Sequence, residues 1–117
     1  MRFHQKKYID AVRLFKKVCQ LDPRSERKEL ELSYLGRSYL ALGRYNDALE
    51  YLSKAYESFR ERSRHLQRDF ERREYLEYLQ AFSDILEKVG QSDRARAVSR
   101  EAEEYASEIS KKVTRPT

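Results

Sequence analysis

From Asp47 to Val89 the chain contains neither glycine nor proline, and the whole 117-residue sequence holds only three of the first and two of the second. Sandwiches, barrels and glycine-rich nucleotide-binding folds turn on such residues, so too few are present to punctuate them. Helix is what remains. Charged residues make up 38% and hydrophobic ones 39%, which suits one domain with a single modest core. No apolar run approaches the roughly 20 residues of a membrane span, and Met1-Arg2-Phe3-His4-Gln5-Lys6-Lys7 has no hydrophobic stretch of the signal-peptide kind. A lone Cys19 closes no internal disulfide. These features together read as a soluble, cytoplasmic chain with no membrane contact.

Apolar periodicity divides the chain into five helices. Tyr8, Ala11, Val12, Phe15, Val18 and Cys19 recur at three- and four-residue spacing, with Lys6, Lys7, Arg13, Lys16 and Lys17 on the opposite face. That helix ends before Pro23, which lacks the donor an interior turn needs. A second helix is predicted from Ser25 to Leu42, burying Leu32, Leu35, Tyr39 and Leu42 and closed by Gly43. Asn46 or Asp47 is the expected cap of a third, which buries Ala48, Leu49, Leu52, Ala55, Tyr56 and Phe59. Because helices average about 11–12 residues, a turn is placed near Arg62-Ser63-Arg64. The apolar stripe resumes at Leu66, Phe70, Leu76, Leu79, Phe82, Leu86 and Val89, and Gly90 ends the fourth helix. Ser92 is the expected cap of the fifth, whose inner positions are Ala95, Ala102, Tyr105, Ala106 and Ile109.

The chain also matches itself. Leu32-x-x-Leu35-Gly36-x-x-Tyr39, followed by Gly43, Tyr45, Ala48, Leu52 and Ala55, resembles a tetratricopeptide repeat, in which small residues let two helices approach closely. Tyr8, Ala11, Phe15, Val18 and Pro23 match the second helix of such a repeat. Leu79, Phe82, Ser83, Leu86, Gly90, Ala95, Ser99 and Ala102 match a whole one, with Ser83 in place of glycine and Ser99 in place of the large residue. The resemblance implies an all-α fold of antiparallel helix hairpins stacked as a short right-handed superhelix. Residues 1–23 are then the second helix of a partial repeat, 25–58 a full repeat, and 76–113 a full repeat with its capping helix, within a single domain 1–113. Residues 114–117 form a tail. The equivalent alanines Ala11, Ala48 and Ala95 are 37 and 47 residues apart against a family period of about 34, so the surplus falls in an extended hairpin over residues 59–75.

Enzyme chemistry lacks its parts. His4 and His65 have no second ligand at metal spacing, and there is neither a phosphate-cradling loop nor a nucleophile elbow. No catalytic residue, metal or cofactor is assigned. The acidic run Glu101, Glu103, Glu104 and Glu108 is balanced by Arg94, Arg96, Arg100, Lys111 and Lys112 and reads as a solvated face. The tyrosines are mostly packing residues, with Tyr34 and Tyr78 left as candidates for exposure.

What the resemblance implies instead is a non-enzymatic scaffold that binds a partner protein, as a peptide or a helix, in a groove lined by the first helix of each repeat. Those positions are Ser33, Tyr34, Arg37, Leu40 and Ala41 in one helix, and Glu77, Gln80, Asp84, Glu87 and Lys88 in the other. The lysine and asparagine with which the family's chaperone-tail binders hold a terminal carboxylate are replaced by Ser33 and Arg37, and by Gln80 and Asp84. A partner segment with apolar and basic groups suits this mixed-charge face better.

Two other readings compete with the groove. Residues 1–29 hold nine Lys or Arg against four acids, leaving sixteen of each sign for the rest, so all the basic excess is N-terminal. RNA or an acidic surface is one alternative partner, through that first helix and the arm residues Arg60, Arg62, Arg64, Arg68, Arg72 and Arg73. With Glu61, Asp69, Glu71 and Glu74 among them the arm keeps only +2, which makes nucleic acid the weaker reading. Self-association is the other. The partial repeat lacks its first helix, leaving Tyr8, Val12 and Phe15 as an open face for a second copy.

Overall fold

The computed structural model describes the backbone of residues 3–21 and 28–114, and the side chains of residues 6–17 and 28–111. Among the described residues every regular element is helical: α1 (Phe3–Leu21), α2 (Lys28–Ala41), α3 (Tyr45–Ser63), α4 (Asp69–Lys88) and α5 (Ser92–Thr114). Each packs on the next as an antiparallel pair, and α2 also touches α4. No described helix is long and apolar enough to cross a membrane. Ser25 and Pro23, to which the start of α2 and the end of α1 were assigned from sequence, lie outside the described residues, as do the side chains of His4, Val18 and Cys19.

Two turns do the same work in the same way. Gly43 (φ 78°) and Gly90 (φ 87°) take the left-handed conformation that side chains with a Cβ disfavour. At the first, the N–H of Arg44 donates to the Tyr39 carbonyl at 2.9 Å and that of Gly43 to Leu40 at 3.0 Å. At the second, Gln91 donates to Leu86 at 2.8 Å and Gly90 to Glu87 at 3.1 Å. Both are the paired bonds of a Schellman motif, which satisfy carbonyls orphaned at a helix end. The helices that follow also begin alike, with Ala48 donating to Arg44 and Ala95 to Gln91.

The expected caps are therefore displaced. Arg44 holds the N-cap position of α3 without a side-chain bond, and Asp47 instead pairs with the Arg44 guanidinium at 2.8 Å. Ser92 is likewise already the first residue of α5. The α3–α4 turn spans residues 64–68, just beyond the expected Arg62–Arg64.

Within each hairpin, small residues meet large ones. Leu35, Tyr39, Ala48, Leu52 and Ala55 are buried in the first, and Phe82, Leu86, Ala95 and Ala102 in the second. A Cβ on Gly36 would stand only 2.5 Å from Leu52 Cγ, so the close helix approach requires glycine. The equivalent pair in the second hairpin is Ser83 and Ser99, a larger residue for glycine and a smaller one for leucine. Ser83 spends its hydroxyl on the Ala95 carbonyl at 3.0 Å.

Helices α3 and α4 run to 19 and 20 residues. Phe59, buried, has its ring 4.9 Å from Tyr75 and 5.1 Å from Tyr78, and Tyr105 of α5 meets Tyr75 edge-on at 4.9 Å. Phe59 and Tyr75, at the two ends of the 59–75 segment, thus belong to the core. Tyr78, a candidate for exposure from sequence, is 0% exposed and donates its hydroxyl to the Leu52 carbonyl. Phe70, placed by periodicity on the apolar stripe, is 51% exposed because it follows the turn directly, where α4 has only begun.

Tyr56 of α3 reaches α5, donating to both carboxylate oxygens of Glu101 at 2.6 and 2.7 Å. Burial first, and then this bond to a carboxylate, push its ionisation up to about 12. The unfolded chain ionises its tyrosines near pH 10, so the folded state holds the proton more tightly. Its stabilising contribution is complete below about pH 10 and is lost as pH rises towards about 12. The urea midpoint is therefore expected to fall between pH 10 and 12, and to fall less steeply in Tyr56→Phe; a flat midpoint across that window would contradict the packing.

Candidate functional site

The sequence-predicted groove residues on α2 divide into a closed and an open group. Ser33 is 0% exposed, so the fold turns it inward, and its Oγ has no hydrogen-bond partner among the described residues. Tyr34 is half-buried, its ring stacked on Phe15 of α1 at 5.3 Å with the Arg37 guanidinium 5.5 Å away on the ring. Burial first, then a hydrogen bond to Glu74, push the Tyr34 hydroxyl up to about 12. Arg37 spans to α4, where it donates to Glu74 Oε2 at 3.1 Å and Glu77 Oε2 at 2.9 Å. Phe15, Tyr34, Arg37, Glu74 and Glu77 thus form one continuous seam across α1, α2 and α4. Leu40 is half-buried and Ala41 exposed.

On α4, Gln80, Asp84, Glu87 and Lys88 are all exposed. Lys88 pairs with Asp84 at 3.3 Å and lies 5.9 Å from the Tyr45 ring. The open part of the predicted face is therefore the end nearer the Gly43 and Gly90 turns. Its other end is closed by the Arg37 pairs.

This geometry alters what an Arg37 variant reports. Sequence alone marks Arg37→Glu as a surface change of small structural cost, but Glu74 is only 13% exposed and would lose its partner to a third carboxylate. Arg37→Glu is expected to cost about 1 kcal/mol, more than an isolated surface charge reversal. Adding Glu74→Arg should return part of it in urea denaturation. No recovery would mean that the pair contributes nothing to the α2–α4 contact.

The proposed self-association residues on α1 are differently disposed. Tyr8 is 36% exposed, whereas Val12 and Phe15 pack against the core cluster. Periodicity missed the outward Leu14, which is 60% exposed and, with Phe70, lines a cleft of about 580 Å³ between α1, the start of α2 and the α3–α4 turn. Leu14 lies outside the apolar stripe of α1, and no periodic signal marks such a residue.

The arm arginines are largely spent. Arg62 meets Glu29 at 2.9 Å and Arg72 meets Asp69 at 3.3 Å, while Arg60, Arg64 and Arg68 each approach a carboxylate at 3.9 Å. By contrast, Lys6, Lys7, Arg13, Lys16 and Lys17 of α1 are exposed. Among the described residues no group of three His, Cys, Asp or Glu side chains is arranged to hold a metal ion.

Helix hairpins that stack in chain order, with recurring turns and recurring small-residue contacts, define a helical-repeat architecture. Within it, residues 30–61 match the tetratricopeptide repeat family, over most of α2, the Gly43 turn and most of α3. No curated protein and no solved structure matches the chain.

Proposed function

We propose that this protein is a non-enzymatic interaction module that holds a segment of a partner protein against the first helices of its two hairpins, α2 and α4. The observation that carries the reading is the tetratricopeptide repeat at residues 30–61, a motif that generally mediates protein–protein interaction. The recurrence of its turn bonds at Gly90 supports α4 and α5 as a second unit of the same kind. The open end of the face, with Ala41, Gln80, Asp84, Glu87 and Lys88, receives the segment, and Tyr34, Arg37 and Leu40 bound it. Ser33 supports that face from within. Both signs of charge are present there, so the partner carries apolar and polar groups rather than a uniformly acidic tail. Two hairpins offer a short groove, so affinity in isolation is modest.

The test is capture of partners from native lysate by the wild type and by a Gln80→Lys/Asp84→Lys variant, followed by titration of the purified partner segment. The variant positions are exposed, so the thermal transition should stay in place while affinity falls about tenfold or more. Unaltered affinity would remove the groove assignment.

The exposed basic face of α1 favours a second reading, an acidic partner surface met by Lys6, Lys7, Lys16 and Lys17. The paired arm makes RNA the weaker occupant. Sub-micromolar RNA binding with a steep salt slope in a filter-binding titration would promote it. Self-association through Tyr8, Val12 and Phe15 is checked by light scattering over a wide concentration range.

A further inference from the structure

A cleft lies where α1, the described beginning of α2 and the α3–α4 turn meet. Leu66 and Phe70 line it from the turn, Leu30 and Phe59 from α2 and α3, and Leu14 and Phe15 from α1. The volume of about 580 Å³ accommodates a few side chains. Two of the walls, Leu14 and Phe70, stand more than half exposed, at 60% and 51%.

The charges on the cleft are not balanced. Glu29 is engaged by Arg62 at 2.9 Å and Glu71 by Arg68 at 3.9 Å. Glu31 also lines the cleft, and it has neither an ion pair nor a hydrogen-bond partner among the described residues. Its Oε2 is shielded from solvent and, among the described residues, nothing donates to it, so a buried acceptor is left unsatisfied. After the internal pairs are formed, one negative charge remains in an apolar recess.

We propose that this cleft is a second docking site, taking a segment of a partner protein whose apolar side chains cover Leu14 and Phe70 and whose single lysine or arginine meets Glu31. Charge complementarity selects this occupant. An anionic segment would face Glu31 while both cleft arginines are already paired, and a wholly apolar one would bury the carboxylate further without a donor. The site meets the groove face only at Tyr34, so it does not depend on the groove being occupied.

The full chain, isotopically labelled, is titrated by NMR with three probes of one shape: 4-phenylbutylammonium, 4-phenylbutanol and 4-phenylbutyrate. The ammonium should shift the amides of Leu30, Glu31, Leu66 and Phe70 and bind about tenfold tighter than the alcohol, with the carboxylate weakest. Glu31→Gln should abolish the advantage of the ammonium and spare the alcohol. Phe70→Asp, at an exposed position, should weaken the alcohol without altering the circular dichroism. A phage-displayed peptide library selected on the wild type and counter-selected on Phe70→Asp should enrich lysine or arginine flanked by leucine or phenylalanine.

Equal binding of the three probes, preference for the carboxylate, shifts centred elsewhere, or enrichment of acidic peptides would each overturn the proposal. Concentration-dependent broadening of the cleft amides without any probe would assign the cleft to a second copy and overturn it too. Gln80→Lys/Asp84→Lys should leave every one of these readouts unchanged, which separates failure of the cleft from failure of the groove.

Discussion

Phe82→Ala is expected to remove about 3–5 kcal/mol of stability, the range for deleting a buried aromatic ring from a core that does not collapse around the gap. Phe82 is 0% exposed, with its ring 5.3 Å from Tyr56 and 5.9 Å from Tyr78, and the Arg94 guanidinium lies 5.4 Å from its centre. The ring therefore serves α3, α4 and α5 at once. Domains of this size hold only about 5–15 kcal/mol in all, so the variant should be partly unfolded at physiological temperature. Near-ultraviolet circular dichroism should weaken together with the urea midpoint, because the same tyrosines report the packing. A loss below about 1 kcal/mol would mean that the hairpins are not held at this position.

Gly36→Ala is expected to destabilise by about 1–3 kcal/mol, against the usual sign of that change within a helix. In an exposed helix interior, alanine gains roughly 1 kcal/mol over glycine. Here its Cβ would stand 2.5 Å from Leu52 Cγ, 2.6 Å from Cδ2 and 3.3 Å from the Leu52 backbone nitrogen. Leu52 is 0% exposed, and its carbonyl accepts the Tyr78 hydroxyl, so neither side chain nor backbone has room to retreat. The cycle Gly36→Ala with Leu52→Ala separates the two effects. In the Leu52→Ala background the alanine at 36 should cost nothing or stabilise, since the Cγ and Cδ2 it strikes are gone. Strict additivity in urea denaturation would place the close approach elsewhere.

The Gly36 and Leu52 pair is also where local pattern reached furthest into tertiary structure. Large and small residues in fixed phase predicted a close crossing, and the alternation Leu35, Gly36, Tyr39 placed its inner side correctly. The helix ends at Gly43 and Gly90 were legible for a simpler reason: positive φ is a local demand that glycine meets wherever the chain goes next. Caps were less legible. Asn46, Asp47 and Ser92 all have the right chemistry, but each helix starts one to three residues earlier than such a cap would place it, since the Schellman turn delivers the chain into the next helix directly after Arg44 and Gln91.

The candidate site was legible only as a set of positions. Helical spacing brings Ser33, Tyr34 and Arg37 near one another on α2, yet it does not say that Ser33 is sealed, or that Arg37 is held by Glu74 and Glu77 some forty residues away. Nor does it show that Phe70, which the apolar stripe places inward, is half in water, or that Tyr78, left off that stripe, is wholly buried.

By itself, then, the sequence determined the helical class, the two glycine turns, the repeat phase and the small-residue crossings, all of which follow from interactions within about one helical turn or from a periodicity carried by each helix alone. Tertiary structure decided which carboxylates Arg37 meets, which residues line the cleft at the α3–α4 turn, and that Glu31 has no partner there among the described residues. Those outcomes depend on helix lengths and crossing positions taken together. Several positions of one amphipathic helix share the same period, and only the neighbour packed against it makes one of them core and another surface.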